Sequence, residues 1–196
     1  MKITAAQAKA WGIDARGKAK AREPRAKPQP NRPNPPARLL ALDPSSTAVG
    51  WACFEHGILR WVGVERSASA DVQKRCAVLA GRIAEIAAKW PPDVVVVELF
   101  SGFHRKVERR RVNKAAILSL ARAQGFLMGR LSADGIRAVP VPANKWTGSE
   151  SKDKRAARVR LTQPVYAEWA RKDGDKGLDG ADAVGLGIAY LGGSIR

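Results

Sequence analysis

Asp93-Val94-Val95-Val96-Val97-Glu98-Leu99-Phe100 sets four β-branched apolar residues in a row and closes the row with a carboxylate. The row does not alternate with polar residues. Both faces must therefore be covered, the pattern of a central strand in a helix-flanked sheet. Just upstream, Pro91-Pro92 ends a stretch of about Asp71–Lys89 in which Val72, Cys76, Leu79, Ile83, Ile86 and Trp90 recur every three or four residues. That spacing predicts a helix leading into the valine strand. Further upstream, Arg38–Leu42 reads as a short apolar strand ending in Asp43, and Thr47–Glu55 and Ile58–Glu65 as two more, joined by a tight His56-Gly57 hairpin turn. Downstream, Ile117, Leu120, Gln124, Met128 and Leu131 mark a helix over Val112–Leu131, followed by a strand at Arg137–Val141. Two helical stretches follow, about Lys152–Leu161 and Pro164–Lys172, and then a helix over Leu178–Leu191 whose small residues suit close packing on a sheet. The order is βββ-α-β-α-β-α. Strands joined by short turns pair antiparallel, and strands joined through helices run parallel with right-handed crossovers. The predicted fold is α/β: a mixed five-stranded sheet, three antiparallel strands then parallel ones, flanked by helices.

The 196 residues suit one domain plus a tail. Thirty-five Lys and Arg against 18 Asp and Glu give a formal charge of +17, which calls for a polyanionic partner. Nucleic acid is favoured over an anionic membrane, because no long amphipathic basic helix is evident. No apolar run approaches the ~20 residues that span a bilayer, and the first residues lack a signal-type apolar core. The expectation is a soluble protein of the cytoplasm, in a bacterium or a phage-infected host cell, with no membrane partner. Cys53 and Cys76 lie far apart without a CxxC pattern, so they read as buried small residues rather than as a zinc or disulfide framework. Residues 1–38 stand apart, with ten Lys and Arg against Asp14 and Glu23 and with prolines at 24, 28, 30, 33, 35 and 36. Such a segment predicts a flexible basic arm lying along DNA phosphates, or else a solubilising tail, with the folded domain at 39–196.

Four acids fall where chemistry could use them. Asp43 ends the first strand, Glu98 ends the valine strand, and Asp179 and Asp182 lie three apart on one face of the last helix. If the first and fourth strands are parallel neighbours, Asp43 and Glu98 emerge side by side and the last helix can lay its two acids against them. Each has a plainer reading. Asp43 before Pro44-Ser45-Ser46 could be a turn acid or helix cap, and Asp179 could be the N-cap of its helix. Glu98 after four valines and Asp182 in an Ala/Gly/Leu helix are harder to explain as solvated surface. Carboxylates at ~4 Å repel by about 1 kcal/mol per pair in water and by several times that in a less polar setting. A cluster of four therefore asks for cations, and hard oxygen donors select Mg²⁺, with Mn²⁺ able to substitute. Two such ions per site, about 3.5–4 Å apart, are suited to phosphodiester hydrolysis.

The segments LLALDPSSTAVGWACF, VVVVELF and DGADAVGLGIAYL together resemble the RuvC family of Holliday junction resolvases, in the RNase H-like nuclease superfamily, over roughly residues 39–193. The family carries an Asp in a D-P-G-S-like turn, a Glu closing its fourth strand and a D-x-x-D-A helix, matched here by Asp43, Glu98 and Asp179-Gly180-Ala181-Asp182-Ala183, with Ser45 in place of the usual Gly. The resemblance implies an Mg²⁺-dependent endodeoxyribonuclease of DNA recombination and repair, working as a homodimer on branched DNA, with the four acids as metal ligands and catalytic residues. It also implies a lysine beside the scissile phosphate. Lys154 is the best match and Lys145 the second, while Lys152 is grouped with the DNA-binding residues. An aromatic near the junction crossover is implied as well; Phe103 suits DNA contact and Phe100 suits core packing. The following run supplies Arg105, Lys106, Arg109, Arg110 and Arg111 as a phosphate clamp beside the site.

Three other functions compete. One is an RNase H-fold nuclease for flaps, other branched substrates or RNA–DNA hybrids. Another is a non-catalytic nucleic-acid-binding protein, disfavoured because acids at the site repel phosphates. The third is an actin-like kinase or ATPase, whose phosphate loop the LDPSSTAVGWA turn also resembles; that fold needs a far longer chain.

Overall fold

The computed structural model describes residues 34–100, 114–148 and 150–193. The stretch from Pro35 onward forms one compact unit. Its five strands are β1 (Arg38–Pro44), β2 (Ala48–Glu55), β3 (Ile58–Arg66), β4 (Val94–Leu99) and β5 (Ala138–Pro142). The helices are α1 (Val72–Lys89), α2 (Lys114–Ala133), α3 (Lys152–Thr162), α4 (Pro164–Lys172) and α5 (Asp179–Leu191), with a 3₁₀ turn at Ala143–Lys145. The strands lie in the order β3-β2-β1-β4-β5. β1 pairs antiparallel with β2 and parallel with β4, and β4 pairs parallel with β5. This is the expected mixed sheet, with boundaries shifted by a residue or two. Asp93 and Phe100 fall outside β4, β5 begins at Ala138, and α5 begins at Asp179.

Local chemistry explains the elements. His56 and Gly57 both take positive φ (50° and 79°), the twist a two-residue hairpin loop needs. Asp71 caps α1 by accepting hydrogen bonds from Gln73 N at 2.8 Å and Lys74 N at 3.1 Å. Ser45 makes its turn without a left-handed backbone. Its hydroxyl donates to the Ala48 carbonyl at 3.0 Å, and the Ala48 N–H donates to the same hydroxyl oxygen at 3.0 Å. A side chain thus supplies what a glycine would supply by conformation.

The sheet divides the core in two. On one face Leu40, Leu42, Val95 and Val97 meet Leu79 and Ile83 of α1 and Leu127 and Leu131 of α2. On the other, Leu39, Ala41, Val96 and Phe54 meet Val159 of α3, Tyr166 of α4 and Ala181, Val184 and Leu186 of α5. The valine row is buried on both sides, as its lack of alternation requires. Glycines let α5 approach the sheet closely. A Cβ at Gly187 would run into the Phe54 ring, and one at Gly50 would run into the Asp179 carbonyl. Cys53 and Cys76 are free and buried. Among the described residues no helix is long and apolar enough to cross a membrane. The arm at 1–38 and the basic clamp lie almost wholly outside the described residues; of the arm only residues 34–38 are described.

Candidate active site

The β1–β4 register runs from Leu39↔Val94 to Leu42↔Val97. One residue further, Asp43 and Glu98 stand abreast at the same sheet edge. On the other side of Asp43, its β2 partner is Gly50, and the bare glycine backbone there lets the first turn of α5 settle directly onto the sheet. Asp179 and Asp182 ride in on that turn. Leu178, in a left-handed conformation (φ 57°), is the N-cap, so Asp179 is the first helical residue rather than the cap. Capping comes instead from Asp175, a buried residue upstream whose carboxylate accepts from Ala181 N at 2.9 Å and from the Tyr166 hydroxyl at 3.2 Å.

The four carboxylates feel one another. Burial, followed by the negative charges of Glu98, Asp182 and Asp179, holds the Asp43 carboxyl well above its ordinary pKa. Glu98 is pushed up to about 7 by burial and by Asp182, against the opposing hydrogen bond from Trp146. Asp179 is raised by burial, with Lys152 acting against the shift.

Protein cations answer part of this charge, both from α3. The Lys152 ammonium lies 3.2 Å from Asp179 Oδ1 and 3.0 Å from Asp182 Oδ2. Burial works against its charge, but Asp182, Asp43 and Asp179 together hold its pKa well above the usual lysine value. Arg155 is buried and donates Nε (3.2 Å) and Nη2 (3.1 Å) to Asp182 Oδ1, and Nη1 to the Glu150 carbonyl at 2.7 Å. Its guanidinium lies 5.2 Å over the Trp146 ring, and Trp146 Nε1 donates to Glu98 Oε2 at 2.9 Å. Gln124 of α2 donates to the Glu98 carbonyl at 3.2 Å. A continuous chain of contacts thus runs from Asp179 through Lys152, Asp182, Arg155 and Trp146 to Glu98.

The donor set is all-carboxylate, the chemistry of a hard divalent cation. The side chains, however, are turned onto Lys152, Arg155 and Trp146. Among the described residues no three His, Cys, Asp or Glu side chains are grouped so as to hold one metal ion. The residues present fit the metal by type and by shared location, and two of them, Asp179 and Asp182, already share one cation, the Lys152 ammonium.

The lysine that the structure turns onto the acids is Lys152, not the Lys154 expected from the resemblance. Lys154 points from an exposed position on α3 and only its backbone N–H is engaged, to Ser151 Oγ at 3.4 Å. Two residues make more than half a helical turn, so Lys152 rather than Lys154 faces the acids. Lys145 is exposed on the 3₁₀ turn. Phe100 does not pack in the core; it is 44% exposed, one residue beyond the end of β4 at Leu99. Phe103, Arg105, Lys106, Arg109, Arg110 and Arg111 lie outside the described residues. Arg155, Trp146 and Asp175 carried no sequence signal strong enough to mark them. A lone Arg or Trp in a polar stretch has no periodicity to break, although Lys152 and Arg155 at i and i+3 on one helix could have been read as a pair.

No protein-family model matches the chain. Curated sequences do. The crossover junction endodeoxyribonuclease RuvC of Paracidovorax citrulli is 26% identical over 167 residues, covering 78% of this chain and 83% of the relative. That of Thermomicrobium roseum is 25% identical, covering 79% and 92%. Among solved structures, T. thermophilus RuvC in complex with a Holliday junction substrate superposes with a TM-score of 0.60 at 16% identity, over 81% of this chain and 98% of that one. The yeast mitochondrial Holliday junction resolvase Ydc2 superposes with a TM-score of 0.59 at 12% identity, over 83% and 80%. The strand order and the flanking helices give the RNase H-like fold. Within that class the chain is similar, at about a quarter identity, to RuvC-type crossover junction endodeoxyribonucleases.

Proposed function

We propose that this chain is a metal-dependent endonuclease that cleaves DNA phosphodiesters at four-way junctions, with Mg²⁺ as the natural ion, Mn²⁺ able to substitute, and two ions per site. The observation that supports it most is the convergence of Asp43, Glu98, Asp179 and Asp182 at one open sheet edge, in a protein otherwise carrying +17. A protein that only binds nucleic acid gains nothing from four acids facing its ligand.

Asp43 and Glu98 would hold the ions from the sheet, and Asp179 and Asp182 from α5. Bound there, the ions supply activation of water and neutralise charge on the departing oxygen. The protein's own residues keep the geometry. Arg155 fixes one oxygen of Asp182 and leaves Oδ2 to face the site, and Trp146 fixes one oxygen of Glu98 in the same way. Sheet hydrogen bonds position Asp43 to within the tolerance of a strand.

A four-way junction offers two equivalent strands, so a C2 homodimer is proposed as the working form. Support comes from α2, whose Leu118 (52%) and Phe126 (41%) are exposed, beside a shallow hollow lined by Gly125, Phe126, Gly129 and Arg130. The basic run at 105–111 and the arm at 1–38 are proposed to grip phosphates. The test is cleavage of a synthetic four-way junction against flap, duplex and RNA–DNA hybrid substrates, with Mg²⁺ and with chelator. Paired nicks on the junction, lost in chelator, are expected. Hybrid or flap cleavage without junction cleavage would reassign the substrate, and cutting in chelator would remove the metal.

A further inference from the structure

Lys152 and Arg155 reach the acids from the same helix but are held differently. The Arg155 side chain is 10% exposed, and it is tied to Asp182, to the Glu150 carbonyl and to the face of Trp146. The Lys152 side chain is 40% exposed, and its ammonium is shared between Asp179 Oδ1 and Asp182 Oδ2. On Asp182 it takes the oxygen that Arg155 leaves unclaimed. Arg155 therefore looks built to stay and Lys152 to leave. A planar guanidinium braced on three sides loses much by moving, whereas an ammonium on a flexible four-carbon stem, already near solvent, exchanges carboxylate for water at small cost.

We propose that Lys152 is the site's internal stand-in for a divalent cation. Its ammonium neutralises Asp179 and Asp182 in the metal-free protein and withdraws from them when a divalent ion binds. The inference rests on the metal reading above and deepens it. It accounts for Asp179 and Asp182 being turned onto protein cations from α3. It also carries a cost for binding. An ion must displace a positive charge about 3 Å from its own ligands, so the lysine lowers metal affinity and makes occupancy dependent on concentration. Once displaced, the ammonium stays tethered at the rim, where a DNA phosphate is its natural next partner.

The test needs no cleavage. Mn²⁺ is titrated into the metal-free full chain by calorimetry, and melting temperatures are taken in chelator and in Mn²⁺. Lys152→Met is expected to bind Mn²⁺ more tightly, by roughly tenfold for one charge removed at this range. It should also melt lower than wild type in chelator and gain more on adding Mn²⁺. Lys152→Arg keeps the charge and should bind no more tightly than wild type. Lys154→Met, which makes the same change in net charge two residues away, should leave the affinity unchanged. Lys152→Met binding Mn²⁺ as weakly as wild type, or Lys154→Met tightening it equally, would overturn the stand-in role while leaving the metal site intact. Failure of wild type to bind Mn²⁺ at all would overturn the metal reading itself, and the stand-in role with it.

Discussion

Asp43 and Asp182 are both acids of one cluster, yet their surroundings predict opposite effects on stability. Asp43 is burdened by burial and by three neighbouring carboxylates. Asp43→Asn removes that repulsion and should raise the melting temperature of the metal-free protein. Asp182 is the partner of buried Arg155. Asp182→Asn leaves a guanidinium poorly matched and should destabilise by roughly 1–3 kcal/mol. Both should lose junction cleavage in Mg²⁺ and keep junction binding, seen in parallel melting, cleavage and gel-shift experiments. Near wild-type cutting by either would remove it from the ligand set. Glu98 sets a pH dependence. Its carboxyl is held up near 7, above its unfolded value, so the folded protein binds the extra proton. The associated stability is fully present below about pH 4.3 and is lost as pH rises through about 7. Asp43 and Asp179 are shifted in the same direction. In chelator the melting temperature should therefore fall between pH 5 and pH 8, and Glu98→Gln should flatten part of that fall. A level wild-type profile would contradict the burial of these groups. At this scale Glu98 and Asp182 were legible in the sequence, because each breaks a strong local pattern, a carboxylate after four valines and one inside an Ala/Gly helix, whereas Asp43 and Asp179 stood out only in conjunction with them. Their counter-charges were not legible. Whether Lys152 or Lys154 turns inward depends on the phase of α3 about its own axis. Its low apolar content leaves that phase unmarked, with only Ala156 and Val159 reaching the core beside Arg155.

Among the elements, α5 matters most for the site, because its seat on β2 sets where Asp179 and Asp182 stand. That seat depends on Gly50. Gly50→Ala would drive a methyl into the Asp179 carbonyl and push the helix outward. Destabilisation of about 1–3 kcal/mol is expected, with a larger loss of cleavage than the stability change explains, measured by denaturant melts beside junction assays. Full activity would mean that α5 can shift without consequence. α2 carries the dimer proposal. Phe126→Asp with Leu118→Asp should yield a folded monomer by analytical ultracentrifugation, and an unchanged mass would locate the interface elsewhere. Element types were readable because their periods are strong. The hairpin at His56-Gly57, the two-sided burial of β4 and the small-residue contact of α5 each follow from a few residues. Boundaries were less so. Helix α5 starts after a left-handed Leu178, capped by a carboxylate four residues upstream of its first residue, a tertiary arrangement that no local cap signal announces.

For the molecule as a whole, charge is the dominant property. The +17 is concentrated out of proportion in the first 38 residues, which carry a net +8. If that segment lies along phosphates, a chain lacking residues 1–37 should bind junction DNA more weakly and with a shallower dependence on salt, the slope falling by about 0.9 for each phosphate that the segment neutralises. An unchanged slope would show that the segment does not touch DNA. On the proposed reading a basic exterior gathers DNA and a small acidic edge cuts it, and the second half can be tested directly. Crystals soaked in Mn²⁺ should show two anomalous peaks, about 3.5–4 Å apart, at the edge shared by Asp43, Glu98, Asp179 and Asp182, with Lys152 withdrawn from both aspartates. Mn²⁺ peaks confined to other parts of the surface, with Asp179 and Asp182 still held by Lys152 and Arg155, would contradict it.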